Sequence, residues 1–198
     1  MRFIPTTLKD ATLIELDKRE DDRGYFARSF CEEEFRAAGL PTRFVQANSA
    51  GTRLAGTLRG LHYQRPPHAE AKLIRCTQGA VYDAIIDLRP DSPTHGRWEG
   101  FELDAASGRM LLVPEGFAHG YQTLADNTEV FYLVSNPYAP GAEAGIRFDD
   151  PAFGIAWPLP VTSISDKDRA WPNYRPPPTA GVQRTGRGTL TLTLPLAG

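Results

Sequence analysis

Short runs of valine, isoleucine, leucine, phenylalanine and tyrosine recur along the chain, cut every ten residues or so by glycine and proline. That rhythm is the signature of an all-β sandwich or barrel. Eight segments read as strands: FVQANSA from Phe44, TLRGLHYQ from Thr57, AKLIRCTQ from Ala71, AVYDAIIDL from Ala80, RWEGFELDA from Arg97, RMLLVPE from Arg109, GYQTLA from Gly120 and TEVFYLVS from Thr128. Eight short strands predict a jelly roll or a similar closed barrel. Ahead of them SFCEEEFRAAGLP predicts one short helix, with Ser29 as N-cap and Glu32 three residues on. Its apolar face would hold Cys31, Phe35 and Ala38, and Gly39 and Pro41 would stop it. Between Ala139 and Asp168 the pattern is irregular, with aromatics set among turn formers, as expected of a segment wrapped over a barrel end. Past Trp171 the chain turns rich in proline, glycine and threonine. The expected organisation is one domain over residues 1–172, then an extended or poorly ordered tail over 173–198 whose last alternating residues could add an edge strand.

A chain of 198 residues with 41% hydrophobic content can bury a sizeable core without disulfides. The formal charge of -2, with scattered lysines and arginines, argues against a footprint for duplex nucleic acid. Cys31 and Cys76 lie far apart and lack the spacing of metal knuckles or redox motifs, so a reduced, cytoplasmic protein is expected. MRFIPTTLKD at the start has no extended apolar core or small-residue cleavage site, and no stretch has the apolar length to cross a bilayer.

Four side chains are unusual for strand settings: His62 in RGLHYQ, Lys72 in EAKLIR, Asp83 in VYDAII and His119 in PEGFAHG. Ionisable groups are seldom fully buried unless paired or functional. Taken singly, the two histidines suit hydrogen-bonded structural roles equally well, and Lys72 and Asp83 suit solvated strand faces. Their joint appearance in one barrel points to a cavity. On extended strands Lys72 shares a face with Ile74 and Cys76, and Tyr132 with Val130 and Val134, so both can point into a lined interior. Strict alternation puts Arg59 and His62 on opposite faces, and a bulge at Gly60 is the device that would bring them together. PEGFAHG fits the second half-motif of cupin barrels, but no first half-motif with two histidines and a glutamate accompanies it. His68 falls in a loop-like stretch and His95 in a turn, too few ligands for a zinc or iron site, so no metal is expected.

The stretches DDRGYF, TLRGLHYQ, KLIRCTQGAVYDAIIDLRPDSPTHGRW, VPEGFAHGYQTL, TEVFYLVSNPYAP, GIRFDDPAFGIAWP and ISDKD together resemble the nucleotide-diphospho-4-keto-6-deoxysugar epimerases, the dTDP-4-dehydrorhamnose 3,5-epimerase family. The resemblance spans about residues 20 to 172 and leaves the tail uncovered. It implies an all-β, cupin-type jelly roll with a short N-terminal helix and an irregular C-terminal segment. It also implies a homodimer in which strands of one chain complete the other's sheet, no cofactor and no metal. By the same resemblance His62 is the general base, Asp168 its orienting carboxylate, Tyr132 the general acid and Lys72 a cation beside the reacting carbonyl. His119 and Asp83 match a second paired imidazole and carboxylate, and Arg59 a diphosphate ligand. Arg23 and Phe26 match residues that contact the nucleotide sugar, Gln46 and Asn48 polar pocket groups, and Tyr138 an aromatic near the base.

Those residue types suit the implied chemistry. A ketone at C4 acidifies the hydrogens on C3 and C5, and inversion follows when a proton leaves one face and returns on the other. Arg28 stands where many thymidine-specific members carry glutamate. A guanidinium suits the acceptors of cytosine better than the N3 hydrogen of thymine, and an exposed Arg28 paired with Glu32 or Glu33 is the alternative. The alternatives to a 3,5-epimerase are an epimerase acting on one carbon or on a CDP-linked sugar, a metal-dependent cupin enzyme using His62 and His119, and a non-catalytic sugar-nucleotide binding module.

Overall fold

The computed structural model describes residues 1–176. In chain order the strands are β1 (Arg2–Pro5), β2 (Thr12–Glu15), β3 (Arg19–Asp21), β4 (Gly24–Phe26), β5 (Gln46–Thr52), β6 (Thr57–Gln64) and β7 (Lys72–Gln78). They continue with β8 (Ala80–Asp87), β9 (Trp98–Asp104), β10 (Met110–Val113), β11 (Phe117–Thr123), β12 (Thr128–Val134), β13 (Glu143–Gly145) and β14 (Ser163–Ile164). The helices are α1 (Glu32–Ala37) and α2 (Asp166–Arg169). One sheet runs β1-β2-β10-β7-β12-β5. The other runs β13-β6-β11-β8-β9, with β14 lying parallel to β6. This is the two-sheet jelly roll of the cupin type, and all eight segments read as strands from the sequence form strands in it.

Strand alternation builds the core. Ile74, Cys76 and Val130 from one sheet meet Val81, Ile85 and Tyr121 from the other in a single buried cluster. Each sheet is also covered on its outer face. α1 seats Phe35 against Ile14, Leu73, Met110 and Leu112. Over the second sheet Ile146, Phe153, Ile155 and Tyr174 pack on Leu61, Ile86 and Ala118. The irregular stretch after Ala139 therefore clads a sheet face over part of its length, while Glu143, Ser163, Ile164, Ser165 and Asp168 border the cavities between the sheets. Because both faces of β8 are buried, its sequence reads as a nearly continuous apolar run.

The helix departs from its expectation at both ends. Its N-cap is Cys31, without a side-chain cap bond, so Ser29 caps nothing. Glu32, Glu33 and Glu34 in the first turn supply the favourable charge instead. Ala38 is exposed. Gly39, at φ +72°, closes the helix as Leu40 N donates to the Phe35 carbonyl.

A buried knot holds the loop after β8 to the N-terminal segment. Asp87 accepts from Arg89 (2.8 Å), Ser92 (2.5 Å) and Thr94 (2.6 Å), while Arg89 also bridges to Asp10 at 2.8 Å. The possible edge strand near the C-terminus lies outside the described residues.

Candidate active site

β6 and β11 carry the feature that organises the site. His119 pairs with His62, and Tyr121 pairs with Arg59, so two residues on β6 face only Gly120 across the ladder. The extra residue turns Arg59 and His62 onto one face, as the alternation argument requires. Gly60 sits at φ +116°, and a Cβ there would stand 2.5 Å from the Gly120 Cα. Only glycine fits both that backbone and that approach.

Two cavities between the sheets, of about 410 and 370 Å³, share His62, Lys72 and Tyr132 in their linings. The larger lobe adds Arg59, His119, Tyr121 and Asp168, and the smaller adds Gln46, Asn48, Glu70 and Tyr138. A roomier hollow of about 800 Å³ near Arg89 contains none of the residues predicted from sequence. Chemistry, not size, picks out the paired lobes.

His62 comes from β6 and Tyr132 from β12, so the imidazole and the phenol enter the shared space from facing sheets. His62 Nε2 lies 2.5 Å from Asp168 Oδ1, and the Gly60 N–H donates to the other carboxylate oxygen at 3.2 Å. Ser165 caps α2 by accepting the Asp168 N–H at 3.0 Å, which fixes the carboxylate under the ring. Burial by itself pushes the Asp168 carboxyl up, but the bonds from His62, Gly60 and Ser165 outweigh it and hold the group below its ordinary range. Trp171 lies edge-on to His62, and Gly145 makes room for it, since a Cβ there would come within 2.3 Å of the indole.

The second imidazole, His119, meets the fully buried Asp83 at 2.9 Å. Arg59 is steadied by the Thr52 hydroxyl and the Gly51 carbonyl, each at 3.2 Å. Burial raises the phenol of Tyr132, with the Glu70 charge adding to it and Arg59 opposing. Tyr121 is pushed up to about 12, chiefly by burial. Among the described residues no three His, Cys, Asp or Glu side chains converge in a way that could hold a metal ion.

Three predicted residues stand elsewhere. Arg23 and Phe26 belong to the β3–β4 hairpin, where Arg23 pairs with Asp21 at 2.6 Å and Phe26 is 67% exposed. Arg28 follows that hairpin and lies 3.5 Å from Glu34, not from Glu32 or Glu33. None of the three lines the lobes within this chain. Sequence reasoning in turn passed over Gln64, Glu70, Tyr121 and Glu143, all of which line them.

Residues 5–175 match the family model described as dTDP-4-dehydrorhamnose 3,5-epimerase. A dTDP-4-dehydrorhamnose 3,5-epimerase of Methanothermobacter thermautotrophicus is 43% identical over 180 residues, covering 89% of this chain and 96% of that protein. The crystal structure of the Bacillus anthracis enzyme of that name, with TDP and PPi bound, superposes with a TM-score of 0.85 at 43% identity, covering 87% of this chain and 99% of that one. The Legionella pneumophila enzyme, solved in complex with dTDP-4-keto-L-rhamnose, matches with a TM-score of 0.80 at 34% identity over 88% of this chain and 98% of that one.

Proposed function

Because the chain belongs to the dTDP-4-dehydrorhamnose 3,5-epimerase family, a family of isomerases, we propose that it inverts C3 and C5 of dTDP-4-dehydro-6-deoxy-D-glucose to give dTDP-4-dehydro-L-rhamnose. The observation that carries this reading is the placement of a carboxylate-held imidazole and a half-buried phenol on facing sheets around one space, with an ammonium beside them.

His62 removes the proton from a carbon next to the C4 ketone. Asp168 fixes the ring tautomer and stabilises the imidazolium that forms. Negative charge then gathers on the C4 oxygen, where Lys72 stabilises it. Tyr132 returns a proton on the other face, so the carbon inverts. Its raised phenol stays protonated at neutral pH, as a donor must. The same sequence at the second acidic carbon completes the double inversion. Arg59, whose guanidinium fork matches phosphate oxygens, grips the diphosphate in the larger lobe with His119 beside it. Gln46, Asn48 and Tyr138 line the smaller lobe as polar and aromatic substrate contacts.

The enzyme works as a homodimer on this reading. The exposed hairpin that carries Arg23 and Phe26, with Arg28 just beyond it, reaches into the partner's site and meets the nucleotide there. The free thiols Cys31 and Cys76 accord with a cytoplasmic setting. Among the described residues no helix is long and apolar enough to cross a membrane.

Incubation with the dTDP-linked 4-keto sugar in deuterated water tests the assignment. Deuterium at both C3 and C5, located by NMR, is the expected result. Label at one carbon alone would make the protein a mono-epimerase, and label at neither would reject the reaction.

A further inference from the structure

Glu70 has no part in the scheme above, yet its carboxylate lines the same lobe as the reacting groups. Its side chain is 8% exposed and lies 3.3 Å from the Lys72 ammonium, which is 12% exposed. The other carboxylate oxygen accepts from Gln64 Nε2. Gln64 is itself pinned from two loops: Nε2 reaches the His68 carbonyl at 2.9 Å and the Pro137 carbonyl at 3.1 Å, and Oε1 accepts the Ala139 N–H at 2.6 Å. A carboxylate is buried in this way only when it is paired. The bonds fix where its charge stands.

The geometry points to Glu70 as a positioning residue that anchors the Lys72 ammonium beside the C4 oxygen and keeps the Tyr132 phenol in its proton-donating form. This rests on the epimerase reading of the site. An ammonium tied by one N–H to Glu70 keeps two for the substrate, at a fixed place on an otherwise flexible stem. A neighbouring negative charge disfavours the phenolate, and a phenolate has no proton to deliver. Arg59 and His62 from β6, Lys72 from β7 and Tyr121 from β11 also surround Tyr132, and Tyr138 and Glu143 line the far side of the smaller lobe. The Arg59 charge favours the phenolate, and burial first and the Glu70 charge after it oppose that pull.

Tyrosine labelled with ¹³C at Cζ gives a direct reading of the Tyr132 titration, its signal assigned by loss in Tyr132→Phe. In Glu70→Gln, which keeps the shape and the bond from Gln64, the Tyr132 midpoint falls by about one pKa unit. The alkaline limb of kcat moves down with it, while KM changes less than about threefold. Glu70→Asp keeps the charge and holds the midpoint within about half a unit of the parent. An unchanged midpoint in the Gln variant overturns the proposal, as does an equal fall in both. If the Gln variant does not fold, a fall of about one unit in the Asp variant is sufficient to overturn it. The NMR midpoint needs no substrate. Failure of the parent protein to turn over the 4-keto sugar would therefore sink the epimerase reading without deciding the role of Glu70.

Discussion

Asp168 shows how much a single side chain can be made to do by its surroundings. It is buried, it faces His62 at 2.5 Å, and its backbone is tied to Ser165 at the start of α2. Replacing it with asparagine removes the charge that stabilises the imidazolium in the proposed mechanism while keeping the shape. For Asp168→Asn, kcat should fall by about 10²- to 10⁴-fold with nucleotide affinity changed less than about threefold, read by steady-state kinetics and calorimetry. At this scale the sequence was partly transparent. His62, Lys72, Asp83 and His119 stand out because charge or imidazole interrupts apolar strands. Glu70 hid in HAEAK, which reads as an ordinary solvated loop, and Tyr121 hid as a core aromatic. Contacts across the sandwich, invisible in one dimension, are what give both their place: a bond from Gln64 for Glu70, and packing in the inter-sheet core for Tyr121.

Two elements set the frame in which those side chains act. The β6 bulge depends on Gly60, since any Cβ must displace backbone of β11 and sit at φ +116°. Gly60→Ala should lower stability by about 1–3 kcal/mol in a denaturant titration and cost most of the activity, because Arg59 and His62 lose their common face. The knot on Asp87 makes a different prediction. Burial works against its ionisation, but Arg89, Ser92 and Thr94 prevail and bring the carboxyl to about 2, below its unfolded value of 3.8. A depressed folded value means that the stabilisation is fully present above the unfolded value and is lost as pH falls through the folded one. The parent should lose about 2 kcal/mol of stability between about pH 5 and pH 2 that Asp87→Asn, less stable at neutral pH, does not lose, as measured by chemical denaturation across that range. Strands of seven and eight residues were legible because their apolar and aromatic residues recur over a stretch long enough to register. The three- and four-residue strands β1 to β4 were not, since too few positions alternate in each to register. The helix was legible from Phe35 and Gly39, while its cap was not, because three glutamates replace the side-chain bond a capping serine would make.

At the scale of the whole molecule, the two sheets and their coverings deliver an imidazole and a phenol to one space, while the β3–β4 hairpin stands apart with Tyr25 52% and Phe26 67% exposed. If that hairpin completes a partner's site, defects in the two places must complement. Arg23→Ala and His62→Ala subunits, unfolded and refolded together, should regain about a quarter of parental turnover, one intact site in each mixed dimer. Activity no greater than the average of the two separate variants would place the hairpin outside the site. The family fold was readable because many separated motifs fall in order along the chain, whereas a site divided between two chains would leave no trace in local pattern. The most direct test of the central claim, that imidazole and phenol act on opposite faces of one carbon acid, is deuterium exchange in two variants given the same 4-keto sugar. Tyr132→Phe should still wash deuterium into C3 or C5 with little inverted product, and His62→Ala should do neither. Exchange that survives in His62→Ala, or full inversion in Tyr132→Phe, would contradict the account.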